Sequence, residues 1–296
     1  MPLDVMNKIV NTLGFINSLV LMKVSKKLSG FVKDTKFEID ELEVYFEIGR
    51  SEIRFKRYVI EFVAEVQPLS FSYDSYEEDG SRKDKKKTFV AGKGQLDQFS
   101  ENLKWLFQNR KISLNKFKLV IPDDDDEESR KKYMDCVVEA LRSAENLSSR
   151  NVKTSCLSSA EISQILPIFP AKNLEYIEFF ECDFAGYEQL VHLEQWKKAE
   201  RCIKCSELNI PMEFFLQFKR VKVDIEPGED PTVIRDVIDN SNNLESVLIQ
   251  CCSMNINYIN EVVSVFNLKE DSMYLTPNKK SFTVNVSERQ IFIKTL

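Results

Sequence analysis

The sequence predicts an α+β fold: a three-helix cluster at the N-terminus, an antiparallel β meander, then an irregular leucine-rich-repeat-like β–α array. Three observations predict it. Apolar residues up to Asp34 recur at helical spacing, those from Leu42 onward alternate, and from Gln95 onward helix-like and strand-like runs follow one another. Strand starts in the last part are spaced unevenly, by roughly 19 to 35 residues, within the range of stacked β–α units.

On a helix at about 100° per residue, Leu3, Val5, Met6, Ile9, Val10 and Leu13 fall within an arc of roughly 160°. Asp4, Asn7, Lys8, Asn11 and Thr12 take the other side. An apolar stripe of about 100° is enough to dock a surface helix on its own core, so this face is wide enough for two neighbours, and another chain is a candidate for one of them. Pro2 suits a first helical turn and Gly14 the position just past a helix end, which bounds the helix at about 3–13. Asn17 or Ser18 caps a short second helix through Leu19, Val20 and Leu21, and Ser25 a third carrying Leu28, Phe31 and Val32. Three helices in so short a stretch fall below the size at which a core is self-sufficient.

After Asp34 the period changes. Leu42, Val44, Phe46 and Ile48 share one strand face, Gly49-Arg50 offers a turn, Ile53 and Phe55 share a face on the return, and Tyr58, Ile60, Phe62 and Ala64 form a third strand. The meander covers 37–73. Residues 74–87 turn from acidic to basic with no apolar period and read as a loop, whose Arg82 to Lys87 run suits a solvated hairpin tip better than a nuclear import signal or a phosphate contact. Leu96, Phe99, Leu103, Leu106 and Phe107 then mark a helix, and Phe117, Leu119 and Ile121 a strand. The acidic run Asp123 to Glu128 lacks the spacing and the glycine of a calcium loop, and feeds negative charge to the N-terminus of a helix at about 130–146, with Met134, Val137, Val138 and Leu141 inward. A strand near Val152–Cys156 and a helix ending at Pro167 follow. Further strands are expected near 175–180, 201–205, 220–225 and 246–251, with helical segments or turns between them, and a closing hairpin from 281–286 and 290–293.

Composition narrows the function. Hydrophobic residues at 43% and charged residues at 30% describe a globular chain, and no apolar run approaches the eighteen or so residues of a membrane span. The N-terminus lacks the basic head and cleavage site of a signal peptide, so a cytoplasmic or nuclear location is expected. A net charge of −6 gives no general pull on nucleic acid, and basic residues are not concentrated beside the aromatic strands, so no nucleic-acid partner is expected. The seven cysteines are odd in number and scattered, which reads as small core residues in a reducing compartment.

No active site emerges, and the chain is read as not an enzyme. His192, the single histidine, lies beside no serine or cysteine that spacing would make a nucleophile. Gly92-Lys-Gly94 is too short to cradle phosphates. Cys202-Ile-Lys-Cys205 has metal-like spacing, but positions i and i+3 of a strand diverge and no second pair follows; neither a metal nor another cofactor is expected. Trp105 and Trp196 each sit in an amphipathic helix and are read as packing on the sheet.

The run Pro2-Leu3-Asp4-Val5-Met6, then Ile9-Val10, Leu13, Leu19, Val24-Ser25-Lys26 and Leu28, resembles an F-box. Ser25 stands where Cys is common and Leu28 where Trp is common. Ile165-Leu-Pro-Ile-Phe-Pro, Leu174-Glu-Tyr-Ile-Glu-Phe and Leu193-Glu-Gln-Trp-Lys-Lys-Ala are similar to the FTH domain that follows the F-box in a large nematode family. The resemblance implies an F-box at 1–36, a β-meander plus helix module at 37–122 and an FTH-like domain at 123–296. It also implies a substrate-recruiting adaptor of an SCF (cullin–RING) ubiquitin ligase, docked on a Skp-type adaptor, and through it on a cullin, while the C-terminal domain binds a target protein. Pro2, Leu3, Val5, Met6, Ile9, Leu13, Leu19, Val24 and Leu28 are the residues expected to contact the adaptor. The alternative is a repeat-type interaction module with no ubiquitin link, its N-terminal helices only capping the fold.

Overall fold

The computed structural model describes residues 18, 32, 35–56, 58–63, 70–76, 82–89, 94–108, 110–122, 126–205, 212–215, 217–224, 231–241, 243–250, 256–268, 273–278, 280–287 and 290–296. The chain divides into two compact units, one of residues 1–157 and 164–173, the other of 158–163 and 174–296.

In the first unit, β1 (Lys36–Glu47), β2 (Arg50–Phe55), β3 (Tyr58–Val63), β4 (Ser70–Tyr76) and β5 (Arg82–Phe89) form an antiparallel meander. On its other side β1 pairs parallel with β6 (Lys111–Val120), and β6 pairs parallel with β7 (Asn146–Ser155). The order is β7-β6-β1-β2-β3-β4-β5. Parallel neighbours need a crossover. The helix α1 (Gln95–Phe107) lies in the connection that leads into β6, and α2 (Glu127–Arg142) in that from β6 to β7. Both place their apolar stripes on the same sheet face: Phe46 meets Phe99 of α1 at 5.0 Å and Tyr133 of α2 at 4.4 Å, and Phe62 meets Phe99 at 5.3 Å. Each such buried ring contributes roughly 1.5–3 kcal/mol. At the start of α2, which begins at Glu127 rather than near 130, the Asp126 carboxylate accepts the Ser129 N–H at 2.9 Å, while residues 123–125 of the acidic run lie outside the described residues. Arg130 then ties α2 to the strand ends, donating to the Pro122 carbonyl at 2.6 Å and the Cys156 carbonyl at 2.9 Å.

The three parallel strands share one irregularity. Phe37 and Ile39 of β1 are buried, then Leu42, Val44 and Phe46; β6 buries Ile112 and Leu114, then Phe117 and Leu119; β7 buries Leu147 and Ser149, then Val152 and Thr154. Asp40, Asn115 and Arg150 are the extra exposed residues at the same rung, where the pairing steps from Ile39↔Leu114↔Ser149 to Glu41↔Lys116↔Asn151. Because all three strands slip together, the ladder continues and the same face stays inward.

In the second unit, β8 (Tyr176–Phe180), β9 (Arg201–Cys205), β10 (Arg220–Asp224) and β11 (Ser246–Gln250) run parallel. β11 pairs antiparallel with β14 (Gln290–Thr295), which pairs with β13 (Ser281–Val286), and β13 with β12 (Met273–Leu275). The helix α3 (Ser159–Ile165) starts at Ser158, whose N–H donates to Glu161 at 2.8 Å in a reciprocal cap. The short helices α4 (Glu188–Val191) and α5 (Glu194–Lys198) lie between β8 and β9. The longer α6 (Pro231–Asn240) precedes β11, and α7 (Ile256–Val265) follows it. The core centres on Trp196, fully buried against Phe179, Phe215 and Phe218 at 6.1, 5.6 and 5.2 Å, with its indole N–H donated to the Phe214 carbonyl at 3.0 Å.

The architecture is α+β, but the expected arrangement is corrected. The first described element is strand β1, not a three-helix F-box; of the expected helices only the single residues Ser18 and Val32 are described, both helical, and the rest lie outside the described residues. There is also no separate meander followed by a leucine-rich-repeat-like array. The meander strand β1 pairs with β6, and β11 pairs antiparallel with β14, so each unit mixes parallel and antiparallel strands. A stacked repeat needs equivalent units burying one recurring face. Here the strands vary from β6, at ten residues, to β8, at five, and the connecting helices from α2, at sixteen, to α4, at four. Residues 74–76 and 82–87, expected in a loop, lie instead in the paired strands β4 and β5, and 77–81 lie outside the described residues. The first turn falls at Ile48-Gly49 rather than at Gly49-Arg50: Gly49 has φ +72°, the left-handed region that favours glycine, and Ile48 points out at 70% exposure.

Candidate interaction surface

Pro2, Leu3, Val5, Met6, Ile9, Leu13, Leu19, Val24 and Leu28, the residues expected to contact an adaptor, all lie outside the described residues. The surface that can be built from side chains is the sheet face of the first unit opposite α1 and α2. Alternation fixes its members. Since Val44 and Phe46 of β1 face the helices, Glu43 and Tyr45 face away; Arg50, Glu52 and Arg54 do the same on β2, Glu61 on β3 and Lys118 on β6.

These side chains form one connected ionic ladder. Lys118 Nζ lies 2.6 Å from Glu43 Oε1, and Arg54 Nη1 lies 3.4 Å from Glu43 Oε2. Arg54 and Arg50 both pair with Glu52, and Arg50 Nε lies 2.9 Å from Glu61 Oε1. The Arg54 guanidinium also sits over the Tyr45 ring, 4.4 Å from its centroid. Glu52 is only 1% exposed, so its charge is held by the two arginines rather than by water. Burial works against the charge on Arg54, yet Glu52 and Glu43 hold its guanidinium above the ordinary range. Burial, then the Glu47 charge, raises the Tyr45 phenol. Every carboxylate in the ladder is paired, and what the ladder presents is a surface of alternating charge.

The corresponding face of the second unit differs. Tyr176, Arg201 and Arg220 occupy one rung, with the Arg201 guanidinium 4.4 Å from the Tyr176 centroid and Arg220 Nε 2.9 Å from Glu245 Oε2. On the next outward rung Lys222, Leu248 and Phe292 are adjacent and half-buried, and Phe180 at the end of β8 is 40% exposed. Aromatic and aliphatic side chains interspersed with arginine are the composition of protein-binding patches.

The remaining candidates are dispersed. His192 is exposed and follows α4, outside the helix that carries Trp196. Cys202 is a buried thiol in β9 that forms no disulfide, and among the described residues no group of three His, Cys, Asp or Glu side chains gathers as metal ligands. Trp105 lies under the Arg110 guanidinium at 4.7 Å. Arg110 is itself nearly fully buried, and desolvation brings its pKa down to about 10. No described helix is long and apolar enough to cross a membrane. The ionic ladder was not anticipated from sequence, although a signal was present: Glu43, Glu47, Glu52, Arg54 and Glu61 sit at the polar positions of alternating strands.

The comparisons with known proteins agree with the motifs. Residues 1–40 match the F-box domain, and residues 131–269, from within α2 to just past α7, match the FTH domain. The chain is an F-box protein with an FTH domain and belongs to the nematode F-box A-type family. Over its whole length it is similar to F-box A protein 224 of Caenorhabditis elegans, at 27% identity over 318 residues that span all of this chain and 78% of that protein.

Proposed function

We propose that this protein is a substrate-recruiting adaptor of an SCF (cullin–RING) ubiquitin ligase. Its F-box docks on a Skp-type adaptor, and through it on a cullin, by way of Pro2, Leu3, Val5, Met6, Ile9, Leu13, Leu19, Val24 and Leu28, while the FTH region binds a target protein. The observation that carries this reading is the pairing, in one chain, of an F-box match at the N-terminus with an FTH match behind it. The mechanism is proximity. Holding a target beside a ubiquitin-charged enzyme replaces a bimolecular search with an effectively intramolecular encounter, and the chain supplies binding and geometry rather than a catalytic group. Leu248 and Phe292, adjacent on the sheet face that also carries Arg201 and Arg220, support target binding by the second unit, because that face joins apolar side chains to charge. A cytoplasmic or nuclear location accompanies this role.

Affinity purification of the full chain and of a form lacking residues 1–34, followed by mass spectrometry, tests the reading. The full chain is expected to bring down a Skp-type adaptor, a cullin and target proteins, and the shortened form the targets alone. Equal recovery of the adaptor by both forms, or recovery by neither, contradicts it.

A further inference from the structure

β5 ends the sheet of the first unit. It pairs with β4 and, among the described residues, has no strand on its other side. Its sequence, Arg82-Lys-Asp-Lys-Lys-Lys-Thr-Phe, carries five basic residues against one acidic residue, in a chain whose net charge is −6. Because this run is a strand and not a loop, its charge is attached to an extended backbone whose outer row of N–H and C=O groups meets no strand among the described residues.

An open edge of this kind selects its partners by charge. Two copies of β5 repel each other, since lysine would face lysine across the new ladder. A strand of opposite charge meets the reverse situation. On the inner side one position has an opposite charge: Lys85 stands at the register position of Asp74 on β4, while Lys86 and Lys87 stand at those of the uncharged Tyr73 and Ser72. A strand added outside β5 would meet basic residues at three consecutive register positions, which carboxylates at three consecutive positions would match in charge. A nucleic acid satisfies the charge but not the backbone, because a sugar–phosphate chain offers no alternating donors and acceptors at strand spacing.

We infer that the free edge of β5 receives an extended acidic segment of a partner protein as an added β-strand, with Lys85, Lys86 and Lys87 selecting its charge. The site uses none of the residues assigned to the F-box or to the surface of the second unit, so its failure leaves the adaptor reading standing.

The test uses the purified full chain and a fluorescein-labelled peptide, Val-Thr-Glu-Glu-Glu-Thr-Val, followed by anisotropy, with hydrogen exchange reporting on residues 82–89. Saturable binding is expected, with slowed amide exchange along β5. N-methylation of alternate peptide amides preserves the charge and removes the ladder bonds, and is expected to weaken binding at least tenfold. The triple variant Lys85→Gln, Lys86→Gln, Lys87→Gln, with unchanged far-UV circular dichroism, should lose at least as much. No binding, equal binding of the methylated peptide, or equal binding of a single-stranded oligonucleotide of the same charge overturns the inference; the last two outcomes mark a purely electrostatic surface and a nucleic-acid site. The methylated peptide needs no change to the protein, so the test survives if the triple variant does not fold.

Discussion

Replacing Trp196 probes whether the segment Leu193 to Ala199 is a structural anchor of the second unit. The indole is buried to 1% exposure, contacts Phe179, Phe215 and Phe218, and donates its N–H to the Phe214 carbonyl. Trp196→Ala empties a space that those three rings cannot fill, and buried Trp→Ala changes cost about 3–5 kcal/mol. Trp196→Phe keeps one ring in place. It removes the hydrogen bond, worth about 1 kcal/mol, and the part of the indole beyond a benzene ring, worth about 1–2 kcal/mol more, for a total of about 2–3 kcal/mol. Urea unfolding followed by far-UV circular dichroism measures both, with the slope compared to confirm that the same surface is exposed. The ordering wild type, Phe, Ala is expected. A loss below about 1 kcal/mol for Trp196→Ala would refute the reasoning, because a space that collapses so cheaply was never tightly packed.

Two further outcomes follow from the first unit. The Ser129 backbone N–H, and then the Ser129 hydroxyl, hold the Asp126 carboxyl below its ordinary value of 3.8, so its contribution to α2 is present above that value and is lost as the pH falls through the depressed folded value. An acid titration of helicity should show the wild type losing this component below pH 3.8 and Asp126→Ala, which lacks it at every pH, showing no such step; superimposable curves would contradict the cap. Cys136 is buried in α2 and desolvation raises its thiol to about 11, so at pH 8 roughly a thousandth is thiolate. Iodoacetamide should modify it at an appreciable rate only in denaturant, and rapid labelling of the folded chain, located by peptide mapping, would show that its burial is wrong.

The strand–helix alternation was legible because most of it rests on local apolar periodicity. α1 carries Phe99, Leu103, Leu106 and Phe107 on one face, and β8 to β11 fall close to where short apolar runs place them. The first halves of β6 and β7 were harder to read. Their alternation changes phase at Asn115 and Arg150, and a strand is recognised only while its period-two pattern holds. β5 was missed for a related reason: with five basic residues in eight it has no apolar face to reveal, and its strand character comes from pairing with β4. The sheet order was not accessible from the chain, because the β1–β6 contact joins residues about seventy-five positions apart. In the FTH-like motif, sequence places Trp196 on the sheet, and the geometry adds the hydrogen bond that fixes its orientation.

The claim on which the functional account rests is that the apolar face of the first helix is a docking surface for a second protein. Titration of a purified Skp-type adaptor against the wild-type chain and against Ile9→Asp tests it most directly. Burying an Ile side chain fully is worth roughly 1.5–3 kcal/mol, and an unpaired carboxylate in its place costs more, so affinity should fall by well over tenfold while the far-UV circular dichroism spectrum stays the same. Unchanged affinity in a folded variant would contradict the account.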